Sequence, residues 1–73
     1  MTRLPVLHGK DIIKVLEKDG YQIIRQKGSH IRLACQNKKS VTVPNHTIGR
    51  GLLRKILRDA GLTPEEFLSL LKK

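Results

Sequence analysis

The sequence predicts an α+β protein in the order α-β-β-β-α(-α), with a three-stranded antiparallel sheet and helices on one face. Three observations lead there. Apolar residues recur at helical spacing near the start of the chain and again towards its end. Between those segments lie three short runs rich in strand-forming residues, separated by turn-forming ones. The chain has 73 residues, which predicts one compact domain, 1–73, with a modest core.

The first periodic segment is Lys10 to Lys18, where Ile12, Val15, Leu16 and Asp19 share one face and Ile13 stands at its edge. Asp19-Gly20 closes it. The first strand is Tyr21 to Lys27, and Gly28-Ser29 forms a two-residue hairpin turn. The second strand is His30 to Cys35, with Ile31, Leu33 and Cys35 facing one way and His30, Arg32 and Ala34 the other. Gln36 to Lys39 is a polar turn, and Ser40 to Pro44 is the third strand, stopped by its proline. Asn45 to Gly49 reads as a loop. The second helix runs from Arg50 to Asp59, buries Leu53, Ile56, Leu57 and Ala60, and ends at Gly61. Thr63-Pro64-Glu65-Glu66 opens a third helix, with Thr63 as N-cap and Glu66 completing a capping box. Phe67, Leu68, Leu70 and Leu71 form its apolar side.

Charge narrows the function. Fifteen Lys and Arg residues against 6 Asp and Glu give a net charge of +9. A field of that sign attracts polyanions, nucleic acid foremost. Aromatic residues are limited to Tyr21 and Phe67, so phosphate and sugar contacts should dominate over base stacking. No apolar run approaches the roughly 18 residues of a membrane span, and the first residues do not read as a signal peptide. The single Cys35 cannot form an internal disulfide or a cysteine-based metal cluster. Together these points predict a cytoplasmic protein without a membrane partner.

Several chemistries are unsupported. The sequence has no phosphate-binding Walker loop and no dinucleotide fingerprint. His8, His30 and His46 lie in separate segments with no acidic residue at ligand spacing, which predicts no metal site and no cofactor. Asp11, Glu17 and Asp19 do not form a paired-carboxylate site, and Glu65 and Glu66 suit a helix N-terminus.

His30 is the residue with the best setting for chemistry. It follows the Gly28-Ser29 turn on the polar side of its strand, with Arg25, Lys27 and Arg32 nearby. Gly28 allows a phosphate to approach the backbone. Imidazole titrates near neutrality and can move a proton to or from a ribose hydroxyl, while cations stabilise the phosphate. On spacing alone, His30 reads first as a surface strand residue or a phosphate contact, and second as an acid or base. His46 reads first as a residue ordering the strand-to-helix turn, and second as a phosphate or proton-transfer group. His8 has the same capping reading. Arg50 and Arg54 share a face at the start of the second helix, where free N–H groups and guanidinium groups suit a phosphate.

The helix-strand-strand-strand-helix order resembles the double-stranded RNA-binding fold. A closer likeness follows from three stretches. Gly28-Ser29-His30, the Val41 to His46 strand and loop, and Gly51 to Phe67, with the Lys10 to Gly20 helix, resemble the HicA toxins of bacterial type II toxin–antitoxin systems. That resemblance implies ribosome-independent cleavage of mRNA by a metal-independent endoribonuclease. It maps the catalytic histidine onto His30 and implies a HicB-like antitoxin that covers it in a heteromeric complex. Lys27, Gly28, Ser29, Arg25, Arg32, His46, Arg50 and Arg54 are the expected RNA contacts. One departure is Leu7-His8-Gly9, where relatives commonly carry Ser-Gly; this bears on helix capping. The competing readings are a non-catalytic double-stranded RNA-binding module and a protein whose basic face serves only an acidic antitoxin.

Overall fold

Residues 3–73 are described by a computed structural model. The chain runs β1 (Leu7–His8), α1 (Gly9–Lys18), β2 (Gln22–Lys27), β3 (His30–Ala34), β4 (Val41–Pro44), β5 (Thr47–Ile48), α2 (Arg50–Ala60) and α3 (Pro64–Lys72). Strands β2, β3 and β4 form an antiparallel sheet in that order, with β3 central. Helices α1 and α2 lie against β4. This is the predicted α+β order, and it is consistent with a double-stranded-RNA-binding-like fold.

The structure adds a second, two-stranded sheet. Leu7 pairs with Ile48 and His8 with Thr47. Asn45 to Gly49, expected as a loop throughout, therefore contains a strand at Thr47–Ile48. Strands of two residues are too short for alternation to reveal, and their pairing joins distant parts of the chain. Ile48 is buried as a result, and Leu4 is buried ahead of β1.

The core forms as alternation and helical periodicity require. Ile31 and Leu33 of β3 and Val41 and Val43 of β4 are buried, while His30, Arg32 and Thr42 between them are exposed. Ile12, Ile13, Val15 and Leu16 of α1, the predicted quartet of α2, and Phe67 of α3 close over that face. Burial of each such side chain contributes on the order of 1.5–3 kcal/mol. Cys35 is partly buried against this core, as a small apolar filler would be.

Two residues behave differently from the sequence reading. Tyr21 precedes β2 and is fully buried, and its hydroxyl donates to the Lys39 carbonyl at 2.7 Å. Burial raises its phenol above the ordinary tyrosine range, against the opposing charge of Lys38. Asp19, grouped above with the apolar face of the first helix, accepts a hydrogen bond from Lys38 Nζ at 2.7 Å. That bond raises the Lys38 ammonium above its usual value. The pair joins the end of α1 to the turn before β4.

The helix ends follow their predicted chemistry. The Lys10 N–H donates to His8 Nδ1 at 3.1 Å, so His8 caps α1 through its side chain. Thr63 and Glu66 complete a reciprocal capping box at α3. Gly61 ends α2.

Candidate active site

The site is built on the sheet face away from the helices. Cross-strand partners in an antiparallel pair project to the same side. Lys27 stands opposite His30, Arg25 opposite Arg32, and Arg32 in turn opposite Thr42. The β2–β3 register slips between Ile23 and Arg25. This bulge resets the alternation of β2. Ile23 stays level with buried Leu33, while Arg25 and Lys27 join Arg32 and His30 on the open face. These two cations and His30, Arg32 and Thr42 line a shallow pocket of about 320 Å³.

The pocket is positive, and among the described residues no carboxylate lines it. Arg25 and Arg32 are direct cross-strand neighbours, an arrangement that costs roughly 0.2–1 kcal/mol when uncompensated. Arg32 donates to Thr42 Oγ1 at 3.3 Å, a bond between two residues that line the pocket. Guanidinium pairs of this kind suit the oxygens of a phosphate. Gly28, with φ of +59°, closes the hairpin in a conformation that side-chain-bearing residues avoid, and open space lies where its Cβ would be. The turn leaves His30 accessible at the pocket edge.

A second layer holds the turn in place. The Asn45 N–H donates to the Ser29 carbonyl at 2.6 Å, and Pro44 is the β4 partner of His30. Gly9 lies buried against this segment. Its N–H donates to the His46 carbonyl at 2.9 Å, and a Cβ there would overlap the Pro44 carbonyl oxygen. Asn45 Oδ1 is the buried side-chain polar atom left without a partner among the described residues.

The other expected contacts lie elsewhere. His46 does not line the pocket. Its Nδ1 is 2.9 Å from the Thr47 carbonyl; a carbonyl only accepts, so Nδ1 carries the proton. Arg50 Nε donates to the Leu4 carbonyl at 2.6 Å, tying the N-terminal segment to α2. Arg54 is exposed on α2, outside the pocket. Gly49 caps α2 without a side-chain bond. Among the described residues, no three His, Cys, Asp or Glu side chains gather as a metal site, and no helix is long and apolar enough to cross a membrane.

Sequence reasoning missed Thr42, Asn45 and Gly9. Thr42 carried a readable signal, since it is the polar residue between Val41 and Val43. Gly9 and Asn45 act through tertiary contacts that no local pattern announces.

Helices on one side of a three-stranded sheet and a pocket of arginine, lysine and histidine on the other define a class: small basic α+β proteins with a positively charged sheet face. Comparison with protein families makes this specific. The family model described as the HicA toxin of bacterial toxin–antitoxin systems matches residues 9–62 of the 73, and the chain belongs to that family. The match covers α1 through the end of α2 and includes every pocket residue. It stops short of α3, which the sequence resemblance had included up to Phe67. No individually curated protein matches the chain.

Proposed function

We propose that this protein is the toxin of a toxin–antitoxin pair and acts as a ribosome-independent, metal-independent endoribonuclease on mRNA, with His30 as its proton-transfer group and a HicB-like antitoxin as its inhibitor. The observation that carries the reading is the Arg25–Arg32 and Lys27–His30 arrangement, which concentrates positive charge around one imidazole with no carboxylate present. Such a face is poorly explained by stability and well explained by a polyanion.

RNA supplies its own nucleophile. His30 takes the proton of a ribose 2′-hydroxyl, and the oxygen attacks the adjacent phosphorus. The bond from phosphorus to the 5′-oxygen breaks, and that oxygen leaves with a proton from solvent or from the imidazolium that His30 has become. The products are a 2′,3′-cyclic phosphate and a 5′-hydroxyl end. Arg25, Lys27 and Arg32 stabilise the charge that develops on the phosphoryl oxygens. Gly28 and Ser29 leave room for the strand beside the turn. His46, Arg50 and Arg54 serve as RNA contacts outside the pocket.

The test is incubation of the purified protein with mRNA in excess chelator, followed by a denaturing gel. Shortened RNA with 5′-hydroxyl ends is the expected result. RNA of unchanged length, with salt-dependent binding, would make the protein a non-catalytic RNA-binding module instead.

A further inference from the structure

Strand β2 has features that RNA cleavage does not use. It is an outer strand of the sheet, and among the described residues no backbone group pairs with its free edge. All six of its residues are exposed, with Ile23 at 47% and Ile24 at 56%. The helices pack chiefly over β4, and the helix side of β2 is exposed. An open strand edge with adjacent exposed isoleucines is a surface suited to strand pairing. The opposite outer strand is less suited. It ends in Pro44 and borders α2 across a groove containing Asp59 and Lys55.

The charges on β2 select the occupant. Arg25 and Lys27 lie on the pocket side of the strand. Two copies of this chain paired through β2 would bring those cations together, which opposes self-association. Phosphates only accept hydrogen bonds, whereas a strand edge presents donors and acceptors in alternation, the pattern of another polypeptide strand. Side chains of an added strand alternate between the two faces. One set would meet Arg25 and Lys27, and the other would meet the exposed helix side of the strand, where Ile23 and Gln26 stand opposite buried Leu33 and Ile31.

We propose that β2 is the docking edge for a strand of the antitoxin, one with acidic side chains at alternate positions and apolar residues between them. The identity of that partner rests on the toxin reading above; the geometry of the edge does not. The acidic side chains would occupy the place of RNA phosphates beside His30, so docking and RNA binding exclude each other.

The probe is a short synthetic peptide alternating valine and glutamate, tested on the full chain. The peptide should slow amide hydrogen exchange in residues 22–27, and it should displace RNA. The same peptide with alternate backbone nitrogens methylated should bind about tenfold more weakly or not at all. Joint replacement Ile23→Thr and Ile24→Thr keeps strand-forming residues without changing charge. It should weaken peptide binding by about tenfold while RNA cleavage stays at the parent level. Absence of binding overturns the proposal. So does binding that ignores both the methylation and the isoleucine changes, since charge alone would then account for it. If the edge behaves as expected and the protein leaves RNA intact, the ribonuclease reading fails and the docking edge stands.

Discussion

Replacing Gly9 by alanine tests how the His30 turn is held. Gly9 is the first residue of α1, and helix propensity alone favours alanine there by roughly 0.5–1 kcal/mol. Packing opposes this. The new Cβ would overlap the Pro44 carbonyl oxygen and lie 3.0 Å from its carbon and 3.3 Å from Asn45 Cα. Restoring ordinary contact requires the loop to retreat by on the order of 1 Å. That movement strains the bonds from Gly9 N–H to the His46 carbonyl and from Asn45 N–H to the Ser29 carbonyl, each worth about 1 kcal/mol. Overpacking adds about 1–3 kcal/mol. The net expectation is a loss of about 2–3 kcal/mol, equivalent to a fall in Tm of roughly 12–20 °C for a domain of this size. Circular-dichroism melting measures it, and the His30 ring resonances should shift with the turn. A Tm equal to or above that of the parent would refute the packing argument, because propensity would then have prevailed.

Other outcomes follow from the same geometry. Arg25→Gln removes one member of the cross-strand arginine pair, so chemical denaturation should show a gain of up to about 1 kcal/mol. RNA affinity should fall together with the salt slope, by about 0.7 for each single-strand phosphate that is no longer neutralised. Thr63→Ala deletes half of the α3 capping box and should cost about 1 kcal/mol in the same measurement. Tyr21 and Lys38 both hold their protons more tightly in the folded state. Their contribution is therefore complete below the ordinary range near pH 10 and is lost as pH rises through the folded values. Urea midpoints should drop on that alkaline side, and Tyr21→Phe should flatten the drop.

The parts of the fold legible in the sequence are those governed by local rules. Strands β3 and β4 alternate buried and exposed residues because one face packs on a core and the other meets water, so His30 and Arg32 could be assigned to the open face. The Thr63–Glu66 box and the helix-ending Gly61 are set within a few residues. Strand β2 resisted the same reading. Its bulge breaks the alternation, and its isoleucines sit outside the helix layer, so hydrophobicity there does not indicate burial. The β1–β5 pairing and the burial of Leu4 depend on contacts between chain segments far apart. Proximity along β2 and β3 was enough to group Arg25, Lys27, His30 and Arg32, which line one pocket. Charge alone could not separate them from His46, Arg50 and Arg54, which the fold places outside the pocket.

The proposed chemistry depends on the His30 imidazole. Single-turnover cleavage of a defined mRNA in chelator, comparing the parent with His30→Ala, tests it most directly. His30 is exposed, so the variant should keep the parent stability within about 0.5 kcal/mol. It should bind RNA with similar affinity through Arg25, Lys27 and Arg32, and cleave it at least about a hundredfold more slowly, the usual scale of a lost acid–base group. A folded His30→Ala protein that cleaves at the parent rate would show that His30 does not transfer the proton.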